Sequence, residues 1–218
     1  SLRARVFVYA SDRVREGELS SYEDLAAQKW RGRIAVRSSS NVYNQSLIAS
    51  MIAEHGIDST EEWAAGLVQN FARSPKGGDT DQIRAVAAGE ADVAIVNSYY
   101  YGRLMASKNL GDQDLTEKTT LFFPNQHNRG THVNISGAGV IASAKNLAES
   151  ILLLEFLAGV EGQGLFAELN HEFPINEDIK QSSTVTKWGR FKSDQVNLSL
   201  LGEYNTEAIR IADRVGWR

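Results

Sequence analysis

Ala91-Asp-Val-Ala-Ile-Val96, followed at once by Asn97-Ser-Tyr-Tyr-Tyr-Gly-Arg103, decides how the chain is read. The first six residues have the length and β-branched composition of a buried strand. Three adjacent phenols then stand where a strand hands over to a helix. Neighbouring side chains point to opposite faces of a strand and diverge by about 100° on a helix, so adjacent phenols converge on one point only at such a junction. In open α/β sheets the crevice beyond the carboxyl ends of the strands is where ligands bind. Against this stands plain aromatic packing, the commoner fate of a tyrosine ring.

Upstream, Ile34-Ala-Val36 reads as a second buried strand, leading through Ser38-Ser-Ser-Asn41 into a helix over Val42–His55. Leu47, Ile48, Met51 and Ile52 recur there at helical spacing and Gly56 supplies the stop, so Tyr43 falls in the first turn of a helix that follows a strand. Further helices are expected over 60–71 and from Gly77-Gly-Asp79 to Gly89, the latter with capping-box spacing between Asp79 and Gln82. The order strand, three helices, strand is α/β wiring. Arg5-Val-Phe-Val-Tyr9 is a strand, and Ser20 with Glu23 has capping-box spacing for a short helix to Ala27.

Downstream, a helix is expected over 102–107, an acidic loop around Asp112, Asp114 and Glu117, and strands at 121–123 and 131–135 flanking a polar loop. A helix over 144–157 carries Leu147, Ile151, Leu154 and Leu157 on one stripe. A helix at 163–169, an irregular polar stretch over 177–197 and a single closing helix over 198–215 complete the chain.

The 218 residues are 42% hydrophobic and 23% charged, an ordinary globular balance with room for a sizeable core. A net charge of -4 gives no basic footprint, so a nucleic-acid partner is not expected, and no run reaches the length of a membrane span. The absence of cysteine excludes disulfides and thiolate metal sites, leaving oxygen or imidazole as metal ligands. The chain opens on a strand already under way, without initiator Met or signal peptide, and we expect an N-terminally truncated chain.

Gly137-x-Gly139-x-x-Ala142 matches a dinucleotide fingerprint on paper, but Val140 and Ile141 continue a strand pattern and the following helix begins too late. No nucleophile elbow, His-Glu-x-x-His or phosphate-binding loop occurs. His127 and His132 flank Arg129 without the i, i+4 spacing of a helical metal pair, and His55 and His171 read as structural. A catalytic phenol of the Tyr-x-x-x-Lys type lacks its lysine, since Arg103, Leu104 and Met105 follow Tyr99, Tyr100 and Tyr101 at that spacing. Metal binding suits the phenols better: phenolate is a hard anionic ligand matched to a small, highly charged cation such as ferric iron. Arg103, one helical turn from Tyr99 and Tyr100, would balance the surplus negative charge.

Arg37-Ser-Ser-Ser-Asn-Val-Tyr-Asn-Gln-Ser-Leu47, Gly77-Gly-Asp-Thr-Asp-Gln82, Ala94-Ile-Val-Asn-Ser-Tyr-Tyr100, His132-Val-Asn-Ile-Ser-Gly-Ala-Gly139 and the ending Arg214-Val-Gly-Trp-Arg218 closely resemble the ferric-ion-binding periplasmic proteins of bacterial ABC iron importers. The resemblance runs from the first residue to the last. It implies an α/β, periplasmic-binding-protein type two-lobed clamshell, with most of the N-terminal lobe absent from this chain. Residues 1–10 and 121–130 would be interlobe hinge strands, 11–120 with 177–218 the C-terminal lobe, and 131–176 the remainder of the N-terminal lobe.

The family's paired tyrosines fall on Tyr99 and Tyr100 and its Ser-Asn-x-Tyr-Asn-Gln tyrosine on Tyr43, whereas Tyr101 occupies a position that is not normally a ligand. The resemblance therefore implies a monomeric, non-catalytic solute-binding protein of the periplasm, or anchored to lipid outside the cytoplasm. It would hold Fe(3+) through Tyr43, Tyr99 and Tyr100, with Arg103 behind them, and deliver it to an ABC permease in the inner membrane. Two alternatives remain at this point: a clamshell holding a small oxyanion through Arg103, 38–40 and the helix start near Thr80, and an enzyme using Tyr99 or Tyr100 as acid or base. A separately placed third phenol at Tyr43 favours iron over an anion.

Overall fold

The computed structural model describes residues 1–176 and 178–218; Glu177, which opens the 177–218 segment of the sequence reading, lies outside the described residues. The organising element is β1 (Leu2–Ala10), buried from Ala4 onward. Residues 5–9 pair antiparallel with β3 (Val93–Asn97), and residues 7–10 pair on the other edge with β4 (Thr119–Phe122). Residues 2–4 pair instead with β5 (Val133–Ile135), so one strand belongs to two sheets in succession.

β2 (Ile34–Ala35) lies parallel to β3, giving the order β2-β3-β1-β4. Parallel neighbours need a long crossover. It is supplied by α1 (Val42–His55), α2 (Ile57–Gln69) and α3 (Asp79–Ala87).

Alternation along the strands sends side chains to two cores. Phe7, Tyr9, Ile34, Val93 and Ile95 meet Leu47, Ile48, Met51, Trp63 and Leu67 of α1 and α2, with Ile211 and Trp217 from the chain end. Val6, Val8, Ala94 and Val96 meet Ile83, Val86, Tyr101 and Leu104 on the opposite face. The result is the helix–sheet–helix layering expected of α/β wiring.

Several local expectations are corrected. Ser20 and Glu23 form no capping box: the segment is a 3₁₀ turn over Glu23–Ala26, and the Glu23 carboxylate accepts instead from His55 and Asn125. The cap of α3 is one residue earlier than its spacing suggests, with Asp81 accepting from the Gly78 N–H at 2.8 Å, which frees Asp79 for another task. The acidic loop is a helix, α5 (Leu110–Lys118), started by Asn109 and closed by a Lys118–Asp114 pair. Val140 and Ile141 are exposed and irregular rather than strand-like. The closing helix breaks at Tyr204 into α9 (Leu198–Glu203) and α10 (Asn205–Arg214), and one turn, α8 (Ser183–Thr186), interrupts the irregular polar stretch before them.

α4 (Ser98–Ala106) begins directly at the end of β3, four residues before the expected start, so the tyrosines occupy its first turn. α6 (Leu147–Ala158) and α7 (Val160–Asn170) form where the periodicity predicts helices, yet α6 buries none of its residues among those described. Among the described residues no single helix is long and apolar enough to cross a membrane, although α6 and α7 together, bent by 60°, match that length and composition.

Candidate metal centre

Tyr43 enters from the first turn of α1. The Asn41 side chain caps that helix by accepting from the Tyr43 N–H at 2.9 Å, and the Asn44 amide donates to the Arg37 and Ser38 carbonyls. The loop after β2 is thereby tied to the helix it feeds. Tyr99 and Tyr100 come from the first turn of α4, Tyr99 only 6% exposed and Tyr100 half-buried. Tyr101 turns into the core and donates to the Thr119 carbonyl at 2.6 Å, away from its two neighbours.

Two helices that start at the ends of adjacent parallel strands thus bring the Tyr43 and Tyr99 hydroxyls to 3.3 Å, while the Tyr99 and Tyr100 rings stack with centroids 4.2 Å apart. Burial, followed by the hydroxyls of Tyr100 and Tyr43 beside it, pushes the Tyr99 phenol far above its ordinary range. Phenolates packed this closely repel one another unless a cation sits among them. Left to itself Tyr99 keeps its proton. A multiply charged cation is the species able to displace it.

Arginines surround the phenols. The guanidinium carbon of Arg103 lies 4.9 Å from the Tyr99 centroid and 6.0 Å from that of Tyr100. Those of Arg3, Arg5 and Arg37 lie 5.7, 6.0 and 5.5 Å from the Tyr43 ring. Asp79 answers two of them, accepting from Arg5 at 2.7 Å and Arg37 at 3.2 Å, and accepts the Asn97 N–H at 2.7 Å as well. A single buried carboxylate therefore joins β1, the loop after β2 and the start of α4. Arg3 Nε, Arg5 Nε and Asn97 Nδ2 are buried without a partner among the described residues, leaving hydrogen-bond donors in this region.

The four residues singled out from the sequence, Tyr43, Tyr99, Tyr100 and Arg103, are thus brought together. Asp79, Arg3, Arg5 and Arg37 were not singled out. The signal for two of them was present: Arg3 and Arg5 alternate on one face of an otherwise apolar strand, and Arg5 is only 1% exposed. Asp79 was hidden by its capping-box spacing.

The histidines do other work. His132 is buried, with Nε2 at 2.9 Å from Ser46 Oγ of α1, which in turn donates to Asn134 Oδ1. Its Nε2 also lies 3.4 Å from Asn134 Nδ2, and its buried Nδ1 has no partner among the described residues. Burial first, then the charges of Arg129 and Arg5, hold its pKa down at about 3, so it is neutral. His55 pairs with Glu23 and His171 with Ser182. Among the described residues no group of three or more histidine, aspartate or glutamate side chains gathers to hold a metal.

The fold is α/β, its central strand serves two sheets, and polar groups gather at the strand ends. The chain belongs to the bacterial extracellular solute-binding protein family, whose profile matches residues 2–193. It is 51% identical over 218 residues to iron uptake protein A2 of Synechocystis, covering 99% of this chain and 63% of that protein. A Trichodesmium structure described as IdiA, FutA, in complex with iron and citrate superposes with a TM-score of 0.96 at 51% identity, over 100% of this chain and 69% of the other. A ferric binding protein from Campylobacter jejuni gives the same TM-score at 42% identity, over 100% of this chain and 69% of the other. The chain thus spans just over three-fifths of the length of the Synechocystis relative.

Proposed function

We propose that this chain captures ferric iron through the phenolates of Tyr43, Tyr99 and Tyr100, with Arg103 balancing their charge, and passes it to an ABC permease outside the cytoplasm, without catalysis. The observation that carries the reading is the meeting of two phenols from separate helices at 3.3 Å beside a third stacked at 4.2 Å. Three hard anionic oxygens suit a small, highly charged ferric ion, and among the described residues no group of three or more histidine, aspartate or glutamate side chains competes with them. The names of the Synechocystis, Trichodesmium and Campylobacter relatives, all of them iron proteins, support the same cargo.

In this reading 1–10 and 121–130 act as hinge strands between a C-terminal lobe of 11–120 with 177–218 and a second lobe to which 131–176 contributes. The division of β1 between two sheets supports it. Iron meets the C-terminal tyrosines first, and closure about the hinge then excludes water. Release follows protonation of the phenolates or reduction to the softer ferrous ion.

The test is a visible absorption titration with ferric citrate, beside a Tyr99→Phe/Tyr100→Phe variant. A phenolate-to-iron charge-transfer band that saturates near one equivalent and is lost in the variant is expected. A chain that gives no band with ferric citrate overturns the reading.

A further inference from the structure

The Arg103 charge is set over the tyrosine rings by a part of the chain far away in sequence. α7 ends at Asn170, whose side-chain oxygen accepts from Arg103 Nη2. The Asn170 amide donates to Glu172 Oε1, and Ser1 Oγ donates to the other oxygen of that buried carboxylate. Donation to Glu172 fixes which way the amide faces: its oxygen, not its nitrogen, is presented to the guanidinium.

The backbone around Asn170 is pinned as well. His171 sits in the left-handed region at φ 57°, ψ 32°, with Nδ1 3.2 Å from Ser182 Oγ. It presses onto α4 at Gly102, where an added Cβ would lie 2.7 Å from the His171 Cβ. Phe173 then exchanges backbone hydrogen bonds of 2.6 and 2.8 Å with Leu2. A corner held on both flanks by α4 and β1 thus presents one neutral acceptor to Arg103. An amide holds a guanidinium without cancelling its charge, which a carboxylate in the same place would do.

We propose that Asn170 is a positioning residue for the metal centre: it holds the Arg103 guanidinium against the Tyr99 and Tyr100 rings and through that charge sets how tightly their phenolates retain a ferric ion. The inference rests on the ferric reading above. It assigns to the end of α7 a role in affinity that does not involve touching the metal.

The experiment compares Asn170→Asp, Asn170→Leu and Asn170→Gln in the 218-residue chain, each also combined with Arg103→Gln. Two quantities are read: the energy of the phenolate-to-iron band, and the transfer of ferric ion to citrate in competition. Asn170→Asp is expected to move the band to longer wavelength, because a phenolate relieved of a neighbouring positive charge gives up an electron more readily. It also lowers ferric affinity about three-fold, the size of one partly exposed charge interaction. Asn170→Leu moves both quantities the same way by less, and Asn170→Gln restores part of the loss.

In the Arg103→Gln background none of the three has a further effect. Wild-type band and affinity in both Asp and Leu variants, with circular dichroism showing them folded, overturn the proposal; so does an equal effect with and without Arg103. If the unaltered chain shows no band at all, the ferric reading fails and this inference with it, an outcome distinct from a normal band indifferent to Asn170.

Discussion

α1 and α6 are helices of similar length, 14 and 12 residues, both rich in aliphatic side chains, and they end in opposite surroundings. α1 buries eight residues between the sheet and the closing helices; α6 buries none among the described residues, and Leu152 and Leu153 are 63% and 56% exposed. Each helix carries enough apolar residues to pack against a core, but burial is a property of what comes to meet them. The site follows the same division. Tyr43 rides on the buried helix, and its backbone is held by caps and a core rather than by the phenol it presents.

The buried side of this comparison breaks most sharply at Asp79. Asp79→Ala leaves Arg5 charged, buried and without its partner, loosens Arg37 and removes the acceptor of the Asn97 N–H. We expect a loss of about 3–5 kcal/mol in urea unfolding, the usual result of removing one member of a buried pair. The tyrosines move with it, because Asn97 is the residue before α4. Next in size is Leu47→Ala on α1, fully buried, for which about 2–5 kcal/mol is expected from lost transfer free energy and the cavity left behind. If unfolding shows either change to be nearly free, α1 and its neighbours are not the rigid base of the site.

A smaller and pH-dependent effect sharpens the comparison at His132, which ties α1 to the strand region leading into β5 through Ser46. Its folded pKa of about 3 lies below the ordinary 6.5, so on acidification the unfolded chain takes up a proton that the folded chain refuses. Its part of the stability is therefore whole above pH 6.5 and drains away as pH falls toward 3, with a slope of at most about 1.4 kcal/mol per pH unit. Glu23, half-buried, which by itself would raise its pKa, but drawn down to about 2 by hydrogen bonds from His55 and Asn125, has a window that opens only below its ordinary 4.5. Unfolding measured between pH 6.5 and 4.5 thus isolates histidine, and His132→Gln is expected to flatten the dependence relative to the unaltered chain. An unchanged slope would mean that His132 is already protonated in the fold.

Much of this was legible from the residues. The end of α1 follows from Gly56, the three-helix crossover from its stops, and the phenol pair from the strand-to-helix junction. What was not legible depends on contacts across long sequence separations. Asp79 has local spacing that suits a cap, and its use is revealed by Arg5 and Arg37, 74 and 42 residues away. Arg103 is visible as a cation one turn from the tyrosines, but the amide that aims it lies 67 residues on, at the end of another helix. The break at Tyr204 escaped because the apolar pattern runs on through it. The exposure of α6 could not be read from its stripe, since a stripe records what a helix can bury and is silent on whether anything arrives.

The smallest effect is the one that tests that last statement. Replacing Leu152 and Leu153 by Gln on the open face of α6 removes apolar surface that the fold does not use, so the urea midpoint should shift by no more than about 0.5 kcal/mol in equivalent stability. Binding of a hydrophobic dye such as ANS, which reports exposed apolar surface, should fall in the same variant. A large loss of stability would show that these leucines are buried in the folded chain in solution, and the contrast between α1 and α6 would then be one of degree. Unchanged stability with weaker dye binding would place all the cohesion of this half of the molecule in β1, β5 and the Leu2–Phe173 pairing, leaving α6 as a helix sustained by its own hydrogen bonds and by α7.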